Sequence, residues 1–323
     1  MVANNHQIYD YRREFHKYYY ENILSRLGIY ENSRKRELVK YNICNFFVGL
    51  TVIGAIAVGI YLNTHNLEVF KKTDPGDLIQ IPFLIGSLIF CLRYKIRKDF
   101  EKKVKKGIIS SFLAFFGDFK WSSTESITKQ EIEASKVVGN FTSLSKDDYF
   151  EGIHKGLRVI ISEVKLVRGS GKNRVQIFEG IFVKIDLNKK FNSHTIIVEN
   201  NPFKGFFAKA FNPDMEKVEL EDVEFEKEFD TYSKDQVEAR YLITTSFIER
   251  FKNLKSVYKT EDIRASFLDN SITISIPCKK DMFVLGDLTK SITDTGEIQS
   301  LFDEFVAVLS LVDLLKLDSK LGL

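Results

Sequence analysis

Hydrophobic and polar positions divide the chain into three textures: two long apolar runs, a stretch of strict alternation, and helical stripes before, between and after them. Tyr41–Asn63 contains no Asp, Glu, Lys or Arg over 23 residues, more than the roughly 20 needed to cross a bilayer core as a helix. Gly49, Gly54 and Gly59 weaken a helix in water but are common where membrane helices pack closely. A cleaved signal peptide does not fit, because forty residues rich in Arg, Lys, Glu and Tyr come first. A second uncharged run, Leu78–Leu92, is short for a span. Arg93, Lys95, Arg97 and Lys98 follow it directly and lengthen it by snorkelling. The pattern predicts transmembrane helices over 41–63 and 78–94, joined by a short external loop, 64–77, with "DPGD" as its turn.

Residues 1–40 predict an amphipathic helix, with Phe15, Tyr18, Tyr19, Ile23, Leu27 and Tyr30 at three- and four-residue steps. Residues 95–138 read as a basic and aromatic helical connector. Phe112, Phe115, Phe116, Phe119 and Trp121 there suit either an interfacial helix or, as the stronger expectation, a helix packed on the following domain. Beyond Gly139 apolar and polar residues alternate. "LRVIISEVKLV", "FEGIFVKIDLNKK", "HTIIVEN", "IRASFL" and "SITISI" read as strands of a sheet of about seven, with "RGSGKN" and Asp269-Asn270 as hairpin turns. A helix is expected from Ser233, with Gln236 completing a capping box and Val237, Tyr241, Phe247 and Phe251 on its apolar face. A second follows Asp294 and Glu297, with Ile298, Phe302, Phe305, Leu309, Val312 and Leu315 on one stripe and Lys316 near its dipole-negative end.

The predicted fold is α+β. It comprises an N-terminal helix, a two-helix transmembrane hairpin, and a cytoplasmic domain over 139–323 whose mainly antiparallel sheet is closed by a C-terminal amphipathic helix, an arrangement like that of pleckstrin-homology barrels.

Charge adds orientation. Residues 1–40 hold eight Lys and Arg, the loop holds two, and 93–106 hold eight, so the positive-inside rule places both termini in the cytoplasm and the chain in the inner membrane. Arg93, Lys95, Arg97, Lys98, Lys102, Lys103, Lys105 and Lys106 form a candidate anionic-lipid flank. The overall charge of +3 follows from these flanks and gives no argument for nucleic-acid binding. Ala55 and Gly59 in the first run and Gly86 in the second are candidates for helix packing, within the hairpin or between copies of the chain.

The stretch "VQIFEGIFVKIDLNKKFNSHTIIVEN" followed by "VEFEKEFDTYSKDQVEARYLITTSFIERF" resembles the bacterial "domain of unknown function 3137" family. "FxxYSxDQVEARYLIT" is the most specific part. The proline that follows that threonine in the family is Thr245 here, and the chain after Phe251 diverges. The resemblance implies paired spans ahead of a soluble domain, and it implies no activity or catalytic residues.

Chemistry is sparse. "GSGK" at Gly169–Lys172 lacks the first glycine and the final Ser or Thr of a phosphate loop. Neither HExxH nor GxSxG occurs. Cys44, Cys91 and Cys278 suggest neither a disulfide framework nor a zinc site, and no cofactor is implied. His194 is expected in a solvated hairpin loop. Asp235, Glu238 and Arg240 on "DQVEAR" read as a cap and a local ion pair, or as an interaction surface. The expected function is a non-catalytic binding or scaffold module for a protein partner at the membrane, with lipid or small-ligand binding and a membrane-tethered enzyme as alternatives.

Overall fold

The computed structural model describes residues 11–64, 75–188, 190–200, 214–260, 262–278, 282–293 and 295–318; the side chains of 62, 63, 75–79, 311 and 313–318 lie outside it. The chain is α+β and divides into two compact units. One contains Arg12–Ile109 and Val284–Glu297; the other contains Ser110–Phe283 and the chain from Ile298.

The first unit is built on two long helices. Helix α1 is continuous over residues 11–64, with a π turn at Tyr19–Ile23. The π turn follows from the spacing of the buried side chains. Phe15, Tyr19, Ile23 and Leu27 recur every four residues, and a 3.6-residue helix rotates such a stripe off its face unless a wider turn absorbs the excess. Helix α2 spans Pro75–Leu113 and carries Pro82 inside it. Most of the expected loop, 65–74, lies outside the described residues, and the expected "DPGD" turn is already helical from Pro75, where proline suits a first helical position. The two helices run antiparallel. A Cβ on Gly86 would lie 2.9 Å from Thr51 Oγ1 and one on Gly107 would meet Tyr30, while Arg93 donates to Asn45 Oδ1 at 2.9 Å and Lys103 to Ser33 Oγ at 3.3 Å.

The segment Val284–Glu297 folds with this helix pair. Arg34, 8% exposed, holds the Glu31 carboxylate at 2.7 and 2.8 Å and donates to the Leu288 carbonyl at 3.1 Å. Glu31 accepts in turn from the Ile292 amide. Gly286 has φ +84°, and a Cβ there would sit 2.7 Å from Val104, so the strap can lie this close only with glycine.

The second unit is one antiparallel sheet of nine strands in the order β1-β2-β3-β4-β9-β8-β5-β7-β6. The strands are β1 Lys120–Ser122, β2 Ser143–His154, β3 Leu157–Arg168, β4 Val175–Asp186, β5 Thr195–Glu199, β6 Glu216–Val218, β7 Phe229–Ser233, β8 Arg264–Leu268 and β9 Ser271–Pro277. The five expected strand regions are β3, β4, β5, β8 and β9, and Asp269 takes the positive φ of a tight turn. Helices α3 (Lys129–Ser135), α4 (Val223–Glu228), α5 (Gln236–Leu242), α6 (Thr245–Val257) and α7 (Thr295–Asp318) complete the chain.

Strands β3 and β4 are buried along nearly their whole length, because both faces are covered. On one face Phe305 of α7 packs edge-on against Phe112 and Phe150 and stacks on Phe116; the aromatic segment after the second run is therefore packed in the domain. On the other, α3 closes a cluster of Ile127, Ile132, Phe141, Val164, Leu166, Phe178 and Phe182. Helix α3 starts with a capping box in which Thr128 and Glu131 exchange bonds, and Lys184 Nζ reaches Glu131 at 2.7 Å. That double anchoring holds the Glu131 carboxyl down at about 2, against an upward push from burial.

The helix expected from Ser233 is two helices. Ser233 ends β7, and Asp235 is the cap of α5, accepting from the amides of Val237 and Glu238 at 2.9 and 3.0 Å. Thr244 then caps α6 by accepting from Phe247. The break at Ile243–Thr244 changes the helical phase, so Phe247 and Phe251 are buried while Val237 and Tyr241 stand 63% and 58% exposed. Asp294 and the side chains of Leu315 and Lys316 fall outside what is described. The stripe Ile298, Phe302, Phe305, Leu309 and Val312 is buried.

Candidate functional site

Strand pairing leaves an opening in the sheet. β4 pairs with β3 from Val175 to Asp186, but β9 covers the other edge of β4 only from Gly180 to Asp186. Pairing stops at Pro277, which has no amide hydrogen to give, and the last bond is from the Cys278 amide to the Glu179 carbonyl, 2.9 Å. Gly180, at φ +150°, makes this closure fit, since a Cβ there would lie 2.2 Å from the Ile276 carbonyl oxygen. The edge of β4 from Val175 to Phe178 thus has no strand partner on that side among the described residues. A bulge opposite Leu166 and Val167 bends it, as bulges do near sheet edges.

This free edge forms one wall of a cleft of about 810 Å³. Gln176, Ile177, Phe178 and Glu179 line it on the β4 side; Tyr258, Lys259, Thr260, Asp262 and Arg264 line it on the β8 side; Pro277, Cys278, Met282, Val138 and Gly139 complete it. Its charges are largely matched. Arg264 makes two bonds to Asp262, 2.8 and 2.5 Å, and one to the Val137 carbonyl. Glu179 takes Lys165 and Gln176. The buried Tyr258 hydroxyl, its pKa raised by burial, donates to the Glu304 carbonyl at 3.0 Å. Lys259 is exposed, and no carboxylate lies in bonding range of it among the described residues. The buried part of the lining is mainly apolar, formed by Phe178, Tyr258, Cys278 and Met282, with backbone hydrogen-bonding groups of β4 along one wall. A second hollow of about 680 Å³ lies beside Glu151, Arg158 and Lys120.

Asp235, Glu238 and Arg240 all have internal partners. Besides the Asp235 cap, Glu238 accepts from the amides of Asn192 and Ser193, 2.9 and 2.8 Å, fixing the turn before β5. Arg240 donates to the Glu219 carbonyl and to Gln236; its partner is an amide and not a carboxylate.

His194 is half-buried, with Nε2 2.9 Å from Ser266 Oγ, so it is not a solvated loop histidine. Burial lowers its pKa. The pair has the spacing of a Ser-His dyad, but Ser266 is 1% exposed and out of reach of any substrate in solution. Among the described residues no three His, Cys, Asp or Glu side chains gather where they could hold a metal ion.

The cations flanking the second apolar run are divided in use. Arg93 is held by Asn45 beneath the rings of Phe90 and Tyr41. Arg97 and Lys98 both reach Glu101, at 2.7 and 3.3 Å. Lys103 bonds Ser33, and Lys105 is half-buried. Lys95, Lys102 and Lys106 are exposed. Of the packing candidates, Gly86 faces Thr51, not Ala55 or Gly59, and Gly59 has open space around it.

Among the described residues, α1 is long and apolar enough to cross a membrane, and only 6% of its most apolar 18-residue window is buried. The cleft residues escaped the sequence reading because they come from four separated stretches; the one signal that marks the site is the proline ending β9.

Residues 176–317 match the family described as "Protein of unknown function (DUF3137)", so over that stretch the chain resembles this family. All of the cleft lining except Val138 and Gly139 lies within it. Among solved structures, the mycobacterial trehalose monomycolate transport factor A, TtfA, aligns over 62% of this chain and 92% of that one, with 9% identity and a TM-score of 0.32, a likeness too low to bear on function. A search of curated proteins gives no match.

Proposed function

We propose that this protein is a two-span inner-membrane protein, both termini cytoplasmic, whose sheet unit is a non-catalytic binding module for a protein partner. One observation carries the reading: the unpaired edge of β4 from Val175 to Phe178 forms the wall of a cleft whose buried lining is mainly apolar. An exposed strand edge is a template for an extended segment, which gains main-chain hydrogen bonds from the edge and specificity from side-chain pockets. Phe178, Pro277 and Met282 would receive apolar side chains, and Lys259 would favour an acidic group beside them. The matched charges of the cleft support binding over catalysis, because acid-base chemistry draws on groups with shifted, uncompensated charge.

The spanning part of the proposal draws on the exposed apolar surface of α1 and α2 and on the basic flanks. Likeness to a pleckstrin-homology barrel adds nothing, since fold analogy does not carry function. A second partner surface is favoured by the exposed Val237 and Tyr241 on α5, framed by Asp235, Glu238 and Arg240.

A photo-crosslinking residue at Gln176, in the full chain in native membranes, tests the cleft. A discrete adduct at Gln176, absent with the same residue at Lys155 in the β2–β3 turn and at Tyr241, supports it. Adducts at Tyr241 alone transfer the function to α5, and none at either site removes the binding-module reading.

A further inference from the structure

The exposed surface of α2 changes chemistry along a single stripe. Ile81, Leu84 and Leu88 are 55%, 64% and 72% exposed, and Lys95, Lys102 and Lys106 are exposed further along. At 100° per residue these six positions fall within about 60° of arc, so one face passes from apolar to cationic. Asp99 shares the stripe and is also exposed, leaving a surplus of two positive charges. The neighbouring cations already have partners within the unit: Arg97 and Lys98 pair with Glu101 on α2 itself, and Arg93 and Lys103 bond Asn45 and Ser33 of α1.

We propose that Lys95, Lys102 and Lys106 are a docking stripe for anionic phospholipid headgroups, and that the other cations of the flank serve the protein's own structure. The proposal rests on α2 being the second span. It deepens that reading by naming the lipid class and the three residues. The face that meets acyl chains at Leu84 and Leu88 is the face that carries Lys95, Lys102 and Lys106 about two to five turns beyond Leu88. A helix rises about 1.5 Å per residue, which puts Lys102 roughly 10 Å and Lys106 roughly 16 Å below Lys95. The headgroup layer is about 5 to 8 Å deep on each side. Lys95 lies at its inner boundary, Lys102 reaches it by extending its side chain upward, and Lys106 acts through the surface potential alone. The contributions therefore fall in the order Lys95, Lys102, Lys106.

The test uses the full chain reconstituted in phosphatidylcholine vesicles, with trace spin-labelled phosphatidylglycerol or spin-labelled phosphatidylcholine, and reads the motionally restricted fraction of each. The parent should favour phosphatidylglycerol. The K95Q/K102Q/K106Q variant should lose that preference by roughly fivefold or more, with K95Q alone giving the largest single loss, while R97Q keeps the preference of the parent. An unchanged preference in the triple variant, or an equal loss in R97Q, overturns the assignment. A parent with no restricted lipid of either kind would overturn the spanning reading itself, an outcome separate from loss of headgroup preference.

Discussion

The two units place apolar and charged side chains in opposite ways. In the sheet unit the large aromatics are inside: Phe150, Phe182, Phe267, Phe302 and Phe305 are all below 2% exposed, and ion pairs such as Arg158 with Glu151 and Asp186 lie at the surface. In the helix-pair unit Phe83, Leu84 and Leu88 are outside, and the Arg34–Glu31 pair lies largely inside, along with the stripe Phe15, Tyr19, Ile23 and Leu27. Exposure alone does not explain this. Val237 on the sheet unit is nearly as exposed as Leu88, yet on α5 only Tyr241 joins it as an exposed large apolar residue, whereas Leu88 belongs to a continuous apolar stripe. Under the two-span proposal the contiguous apolar surface meets lipid, while the scattered apolar residues of the sheet unit meet water.

Four substitutions probe this contrast. The largest effect is expected from Phe305→Ala, which empties the centre of an aromatic cluster; thermal unfolding of the full chain in detergent should show the sheet unit weakened by about 3–5 kcal/mol, and a change under about 1 kcal/mol would contradict the packing. Next, Leu88→Lys places a charge in the apolar stripe at a cost of about 3 kcal/mol of insertion, read as a larger carbonate-extractable fraction. Val237→Lys should leave extraction and stability within about 0.5 kcal/mol of the parent, and equal behaviour of the two variants would remove the distinction between the surfaces. Arg34→Leu deprives Glu31 of its partner and frees the Leu288 carbonyl, so Val284–Glu297 should become more sensitive to protease by about 2 kcal/mol of local opening while sheet protection is unchanged.

A modest effect is expected on pH dependence. Glu131 has a lower pKa folded than unfolded, so the folded state takes up its proton later on acidification. Its stabilisation is present above the usual carboxylate range and is lost as pH falls toward about 2. Glu131→Gln should cost about 1 kcal/mol at neutral pH, given its partial exposure, and should flatten the stability curve below pH ~4.5. A parallel curve for variant and parent would show that the Lys184 contact adds no stability.

Much of the architecture was legible in the chain. The apolar runs became the exposed parts of two helices, and the alternation of Ile181, Val183 and Ile185 became β4. Strands β1, β6 and β7 escaped because three to five residues carry too short a period, and β2 because "SLSKDD" is polar at its outer end. The single helix expected from Ser233 failed at Thr244, whose side chain starts a new helix where periodicity suggested continuation. The cleft was illegible for a different reason: it exists because β9 is five residues shorter than β4, and a difference in strand length shows only once the strands are paired.

The strap from Val284 to Glu297 has a consequence for dissecting the protein. It lies inside the stretch that matches the family, yet its neighbours Glu31, Arg34 and Val104 lie far upstream of that stretch. A fragment that begins after the second apolar run keeps the strap and discards its seat, leaving Gly286 and the Leu288 carbonyl open to solvent and to proteases. The same holds for chimaeras, in which a transplanted C-terminal half arrives without the helix positions that its strap was shaped to fit. The natural seam of the molecule therefore does not follow the order of the chain, and the two helices and the strap need to be exchanged together.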